Sequence, residues 1–276
     1  MKTTKMADRI VGLVLTGMMV IGLASCGGKK SAEALKKGKP AAESDFKIEL
    51  IDGKDGVGIT EYIGKPVETL VIPQTIQGLP VLSVSLSIKY NDEVNSKIKN
   101  IVYPEGAVLI SEDFYGCEKL TSVILPSTLK YLFGRFTTTS DIKDTKLKFV
   151  ELPEGLVLIG DAFFQNSAIE SISLPKSLRV IGDSQDVYGP VFGGCDNLSE
   201  INIPEGIAAC AGYKSNKNEE TRTESYGEDF SDIFSGDKIS ASVQLQKLLK
   251  DTKCAKLSPA EMAQIRKDIQ IFGNYW

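Results

Sequence analysis

Apolar residues recur along the chain in a fixed relation to six prolines. These are Pro73, Pro104, Pro126, Pro153, Pro175 and Pro204. In every copy the residues three and one before the proline are apolar, whereas the residue between them is Val, Ile, Glu, Ser or Asn. Such alternation has a period of two and is typical of a short β-strand with one buried side. The sequence therefore predicts six short strands, each ending near a proline.

The positions that follow each proline repeat as well. From Pro104 onwards, apolar residues stand three and six residues after each proline. Sixteen after Pro104 and Pro153 stand Leu120 and Ile169, and Leu147 and Leu198 take this place once insertions are discounted. The phenylalanines ten after the proline are Phe114, Phe136, Phe163 and, once an insertion is discounted, Phe192. Two steps between prolines are 22 residues long, two longer steps contain polar insertions near 137–145 and 184–190, and a third insertion, near 213–232, follows Pro204. After Pro204 the expected phenylalanine comes late, as Phe234. A register that survives insertions at one corner is typical of a solenoid.

Both ends of the repeat array have patterns that predict caps. The segments "FKIELI" (46–51) and "VGITEYI" (57–63) alternate and are expected to pair as a hairpin beside the first coil. Near the other end, "SASVQLQKLLKD" (240–251) reads as a helix. A second helix is predicted with Ser258 as N-cap, Pro259 in its first turn and Glu261 completing a capping box. Its apolar face, Met262, Ile265, Ile269 and Phe272, is expected to seal the last coil.

Two phrases resemble a known repeat. "YPEGAVLISEDFYGCEKL" (103–120) and "LPEGLVLIGDAFFQNSAI" (152–169) are similar to the BspA-type leucine-rich repeat, known from lipid-anchored or secreted surface proteins of anaerobic bacteria. The resemblance implies a leucine-rich-repeat solenoid of about six coils, with short strands stacked into a parallel sheet, over residues 46–250. A β-hairpin caps its start, and a helical cap occupies residues 251–276. The chain departs from the family pattern in its insertions and at Thr139 and Asn166, where cysteine is usual.

The N-terminus has the three parts of a signal peptide. Lys2, Lys5 and Arg9 precede an apolar run over 10–23, which is followed by Ala24, Ser25 and Cys26. The end of the run resembles the lipobox of bacterial lipoproteins, which implies cleavage after residue 25 and lipidation of Cys26. Residues 26–45 are then a flexible linker. A membrane-spanning helix, for which the run is short, and an ordinary secretory signal with a chance cysteine are the alternatives.

Charge and composition limit the kinds of partner and of catalysis that the chain can support. The net charge is −4, and −6 without residues 1–25, which argues against a nucleic-acid partner. The chain contains no histidine, so Ser-His-Asp and Cys-His catalysis and imidazole metal ligands are excluded. We expect no catalytic residue, cofactor or metal. Two carboxylate pairs keep a carbohydrate-active hydrolase as a less favoured alternative: Asp183 with Asp186, and Glu228 with Asp229.

The cysteines after Cys26 read as structural. Cys117 and Cys195 occupy the same offset in their repeats, where a small side chain turns inward, so we expect buried thiols without a disulfide between them. Cys210 stands at an inward offset usually held by isoleucine. Cys254 is the one most exposed in this interpretation. Whether Cys210 and Cys254 form a disulfide is left open by the sequence.

The variable strand positions predict a binding surface. Val71, Val102, Ile124 and Phe149 are expected to face outward as an apolar stripe, followed from Glu151 onwards by polar residues. The alternatives are that β-branched residues simply favour strands, or that an insertion folds back over them. The 213–232 insertion is expected to be a mobile surface loop and a possible second contact site.

The sequence thus predicts a monomeric, non-catalytic protein of the bacterial cell envelope. Lipid on its N-terminus is expected to anchor it to the outer membrane, at the surface or on the periplasmic face. The solenoid is expected to serve as a binding or adhesion module for a protein or glycan partner. The alternative is a structural spacer without a specific partner.

Overall fold

The strands predicted before the prolines form in five of the six copies. The computed structural model describes residues 32–88, 91–114, 116–135, 146–160, 163–165, 167–183, 191–215, 222–226, 230, 248 and 251–273. The elements in chain order are β1 (Phe46–Leu50), β2 (Val57–Tyr62), β3 (Thr69–Val71), β4 (Thr75–Ile76), β5 (Leu79–Val84), α1 (Asp92–Asn95), β6 (Asn100–Val102), β7 (Leu109–Asp113), β8 (Ser122–Ile124), β9 (Tyr131–Arg135), β10 (Leu158–Gly160), β11 (Ser171–Ser173), β12 (Val180–Asp183), β13 (Glu200–Asn202), β14 (Ala208–Ser215), β15 (Arg222–Tyr226) and α2 (Pro259–Gln270).

The strands before the prolines stack into two short parallel ladders, here called the pre-proline ladders. One contains β3, β6 and β8, and the other contains β11 and β13. The fourth copy lies between them, and its residues 146–153 contain no strand. The strand predicted before Pro153 is therefore wrong. The pre-proline sheet is therefore interrupted at the fourth coil.

The strands after the prolines form the longest sheet, here called the long sheet. Its order is β1-β2-β5-β7-β9-β10-β12-β14-β15, with β4 paired to β5. Pairing is parallel from β2 to β14 and antiparallel at the two ends, β1 with β2 and β14 with β15. The predicted N-terminal hairpin is confirmed. The expectation that the pre-proline strands build one long face is wrong, because the continuous sheet lies after the prolines.

The core between these sheets contains the apolar positions that the repeat predicted. The residues three and six after the last five prolines are buried wherever their side chains are described, and so are Phe114, Phe163 and Phe192. The ring of Phe164 stacks on Phe192 with centroids 5.3 Å apart and meets Phe163 edge-on at 4.9 Å. Phe230, which the sequence did not single out, is also buried in this core, whereas Phe234 lies outside the described residues.

A second apolar cluster lies on the other side of the long sheet. Leu109, Tyr131, Leu158, Val180 and Ala208 point away from the solenoid core and pack with Met262, Ile265 and Ile269 of α2 and with Phe272, two residues after it. The helix and its apolar face are as predicted, but their place is not. The face covers side chains from five successive strands of the long sheet instead of sealing the last coil.

Polar contacts hold α2 on the sheet. The Glu261 N–H donates to Ser258 Oγ at 3.2 Å, which confirms the N-cap. The Glu261 carboxylate, expected to complete a capping box, instead accepts from Arg179 Nη2 at 2.7 Å and Nε at 3.0 Å. Arg179 precedes β12, so this ion pair joins the helix to the fifth coil.

Hydroxyl and glycine residues alternate at the turn after each proline. Thr128 Oγ1 accepts from the Gly106 N–H at 3.0 Å and donates to Ala107 O at 2.8 Å. Ser177 makes the same pair of bonds to Gly155 and Leu156, both 2.8 Å long. Each hydroxyl satisfies backbone groups of the coil before it, so the third coil is tied to the second and the fifth to the fourth.

The solenoid unit begins earlier in the chain than predicted. The chain divides into residues 1–38 and residues 39–276. In the first unit, residues 32–36 are helical. In the second, the Ala41 N–H donates to Val71 O at 2.9 Å and Glu43 Oε2 accepts from the Gln77 N–H at 2.8 Å. The predicted linker end at residue 45 therefore moves to residue 38, because residues 39–45 bond to the first coil.

The insertions are partly described. Those near 137–145 and 184–190 lie outside the described residues, and so does most of the helix predicted over 240–251. The third insertion differs from the expected mobile loop, since β14 runs into it and β15 returns antiparallel to β14. This hairpin extends the long sheet beyond the last coil.

Candidate interaction surface

The outward positions of the first three coils form two columns in register. Thr69, Asn100 and Ser122 make one column, and Asn100 Nδ2 donates to Thr69 Oγ1 at 2.9 Å. Val71, Val102 and Ile124 make the other. Strands in a ladder lie about 4.8 Å apart, so the members of a column contact one another.

The apolar column of these coils is not exposed. Val71, Val102 and Ile124 are only 7%, 5% and 9% exposed, and they belong to neither core cluster. Their expected exposure is therefore wrong. In-register β-branched neighbours shield one another, and Ala41 bonds to the outer strand of this ladder at Val71. The first three coils offer no open apolar stripe.

The fourth coil is open. Phe149 is 56% exposed and Glu151 is exposed, as predicted. Val150, which lies between them, and Leu152, which follows Glu151, are buried. Inward and outward residues therefore still alternate here, although these residues form no strand. Phe149 and Glu151 therefore share the outward face. Phe149 is one of the few large apolar side chains that the solenoid exposes.

The fifth and sixth coils continue this face with polar residues. Ser171 stands opposite Glu200 and Ser173 opposite Asn202, whose Nδ2 donates to Ser173 Oγ at 3.2 Å. Glu200, Ser173 and Asn202 are exposed. At the start of the strands, Lys148 Nζ lies 2.7 Å from Glu170 Oε1. We call the outward residues of coils four to six, Phe149, Glu151, Ser171, Ser173, Glu200 and Asn202, the open face.

Comparison with known families agrees with this repeat geometry. The family described as BspA type leucine rich repeat region matches residues 87–143 and 142–214, with six copies. These matched residues include both pre-proline ladders from β6 onwards and the open face. Residues 87–214 therefore consist of BspA-type leucine-rich repeats.

Three crystal structures are similar to this chain. A leucine-rich repeat protein of T. pallidum is 26% identical, with a TM-score of 0.47, over 62% of this chain and 86% of that one. A leucine-rich repeat protein from Bacteroides ovatus ATCC 8483 is 21% identical, with a TM-score of 0.42, over 59% and 41%. A leucine rich cell surface protein from Faecalibacterium prausnitzii A2-165 is 19% identical, with a TM-score of 0.37, over 66% and 57%. No curated protein sequence matches the chain.

The thiols of the BspA-type repeats are structural, as predicted. Cys117 and Cys195 are buried and are not joined by a disulfide. Cys195 Sγ donates to Phe164 O at 2.9 Å and contacts Ser167 Oγ at 3.5 Å. Burial raises the pKa of both thiols, so neither is a reactive thiolate. Cys254 is partly exposed and packs against the core, and the side chain of Cys210 lies outside the described part.

One carboxylate is buried in the BspA-type solenoid. Glu112 lies in β7, and its Oε2 accepts from the Leu86 N–H of the preceding coil. The pKa of Tyr103 is raised well above its ordinary value, chiefly by burial and next by the Glu112 carboxylate. Both groups lie inside the coil, where no substrate reaches them, so they are structural.

The remaining predicted sites lie beyond what the structure describes or show no built site. Cys26, Asp186, Glu228 and Asp229 lie outside the described residues. Among the residues that are described, no three potential metal ligands cluster. Within the same residues, no helix combines the length and apolar character needed to span a membrane.

The repeat pattern also contains a signal that the sequence analysis missed. Leu109, Tyr131, Leu158 and Val180 stand five residues after their prolines, directly before the inward residue at offset six. Two adjacent apolar positions in a strand indicate that both faces of the sheet are buried. This pair of positions indicates that something covers the long sheet, although not that α2 does so.

Proposed function

We propose that this protein is a lipid-anchored, non-catalytic component of the bacterial cell envelope that binds a protein partner on its open face. The observation that carries the proposal is the contrast along one side of the solenoid. The outward face of coils one to three is covered, whereas that of coils four to six is open and presents Phe149.

An exposed aromatic ring beside polar groups is suited to protein recognition. Large aromatic side chains dominate interface energetics, and a polar rim around them supplies hydrogen bonds. Phe149 takes the first role here. Ser171, Ser173, Glu200 and Asn202 take the second, since they pair in register with one another and the Glu170 N–H donates to Lys148 O at 3.0 Å, beside Phe149. In coils one to three, the apolar residues Val71, Val102 and Ile124 are already buried.

Affinity purification with the immobilised protein tests the partner site. The full chain and its Phe149→Ser variant are immobilised and exposed to envelope extract and to host matrix proteins, with Leu50→Ser as the control. Leu50 is 71% exposed in β1, at the first edge of the long sheet, and so serves as an exposed apolar residue away from Phe149. A protein retained by the wild type and by Leu50→Ser, but lost from Phe149→Ser, supports the open face. Equal retention by all three proteins would contradict the open face as the binding site, and no specific retention by any of them favours a spacer.

The anchor is tested separately. Cys26 directly follows the small residues Ala24 and Ser25 at the end of the apolar run, and residues 27–38 connect it to the solenoid unit. We expect mass spectrometry to find acyl chains on Cys26 after removal of residues 1–25, with the protein in the outer membrane. A Cys26→Ser protein that still matures and stays membrane-bound would contradict the anchor.

A further inference from the structure

The open face carries charge as well as an aromatic ring. Glu151 lies two residues after Phe149 on the same outward side, which places the two side chains about 7 Å apart along the chain. Glu200 stands four residues before its proline, as Phe149 does. The Glu170 N–H donates to Lys148 O at 3.0 Å, so the coil of Phe149 lies beside β11, which pairs with the strand of Glu200. An aromatic ring flanked by carboxylates is thus presented to solvent.

The basic residues nearby do not cancel these carboxylates. Lys148 is engaged with Glu170 in an ion pair with 2.7 Å between Nζ and Oε1. Lys146 and Lys176 lie at the corners of the coils, where Glu154 and Glu205 are also exposed. The carboxylates of Glu151 and Glu200 therefore keep the open face acidic.

We infer that the partner presents a basic segment whose arginine side chain stacks on Phe149 and pairs with Glu151. The inference rests on the proposed function and adds the chemistry of the partner to it. An arginine guanidinium is attracted to the face of an aromatic ring. Its planar group of N–H donors also matches a carboxylate, which a lysine does less well. Ser171 and Ser173, next to these residues, supply hydroxyl groups for the partner's backbone.

A peptide library displayed on phage provides the probe. Random 12-residue peptides are selected on the full chain, and arginine is expected to be enriched among the bound sequences. The best peptide is then synthesised with its arginine and with citrulline, which has the same shape without the charge. Citrulline is expected to weaken binding to the wild type about tenfold.

Three variants assign the contacts. Glu151→Gln should lose about tenfold for the arginine peptide but little for the citrulline peptide, because the two changes remove the same ion pair. Phe149→Leu keeps an apolar side chain but removes the ring, and should lose about fivefold for the arginine peptide only. Glu154→Gln is the matched control, since it removes an exposed carboxylate of the same coil and should change nothing.

The outcomes separate the inference from the proposed function. Selected peptides that depend on Phe149 but contain no excess of basic residues overturn the inference and leave the proposed function standing. Peptides that bind equally to Phe149→Ser, or a selection without enrichment, overturn both. Equal losses in Glu151→Gln and Glu154→Gln show only a general effect of charge and also overturn the inference.

Discussion

Gly134 stands where no other residue fits without strain. Its φ is +105°, and a Cβ atom would lie within 2 Å of the carbonyl oxygen of Glu112, its ladder partner in β7. We expect Gly134→Ala to lower the free energy of unfolding by about 3 kcal/mol or more, from the left-handed backbone and the overlap together.

Gly78→Ala is the matched control for this prediction. Gly78 has a φ of +76°, but a Cβ there would meet no atom within 4 Å. Its substitution should therefore cost only about 1 kcal/mol, from the backbone conformation alone. Urea unfolding of the two variants measures the difference, and equal losses would mean that the contact with Glu112 relaxes freely.

Tyr131 makes the stability depend on alkaline pH. Burial, and then the neighbouring Asp268 carboxylate, which also bonds to the phenol, raises the pKa of Tyr131 to about 12. A phenol whose pKa is higher in the folded state stabilises the fold fully below pH 10, and this contribution is lost as the pH rises towards 12. At pH 11 the loss is about 1 kcal/mol relative to pH 8.

Comparison of the wild type with Tyr131→Phe isolates this group. The advantage of the wild type over the variant should shrink by that amount between pH 8 and pH 11, as measured by urea unfolding at each pH. Since the other tyrosines titrate in both proteins, they cancel in the difference. A difference that stays constant with pH would contradict the raised pKa.

At the scale of elements, α2 is a packed part of the long sheet. Ile269 is fully buried against the sheet, whereas Ile271, two residues later, is 37% exposed. Ile269→Ala should lower the free energy of unfolding by about 3 kcal/mol, and Ile271→Ala by less than about 1 kcal/mol. Since Ile269 faces the sheet and Ile271 is the C-cap residue directly after α2, the gap measures docking of α2. Similar small losses would show a helix that packs on nothing.

The sequence predicts well those features of the fold that depend on residues within a single coil. The inward residues, the hairpin of β1 and β2, and the N-cap of Ser258 all follow from short-range patterns. The set of strands that forms the long sheet does not follow from such patterns, because hydrogen bonding between strands depends on the register between coils. The same reason explains the fourth coil, where "FVELP" has a strand pattern but lies outside both ladders.

The candidate site was predicted only in part for a related reason. A period of two identifies Val71, Val102, Ile124 and Phe149 as outward residues, and it cannot distinguish an outward residue that is covered from one that is open. Cover depends on neighbours distant in sequence, such as the in-register residues of adjacent coils beside Val71, Val102 and Ile124. Phe149 and Glu151 remain exposed, and they are the part of the predicted site that the structure keeps.

At the scale of the whole molecule, the two sides of the solenoid differ in continuity. The long sheet passes through every coil, including the fourth at β10, while the pre-proline ladders stop on either side of that coil. Coils that share an unbroken ladder are expected to unfold together. We therefore expect the long sheet, with α2 packed across it, to unfold as one cooperative unit. The pre-proline side is expected to open locally at the fourth coil.

Hydrogen exchange tests this division within a single coil. Amides of β10 should exchange only with global unfolding, because β10 is bonded to β9 and β12. Amides of residues 149–152, a few positions earlier, should exchange at least about tenfold faster, through local opening. Residues of β8 at the equivalent offset serve as the control, since they are in a ladder and should resemble β10. Equal protection of 149–152 and β8 would mean that the fourth coil is held on both sides, and the open face would then be as rigid as the rest of the solenoid.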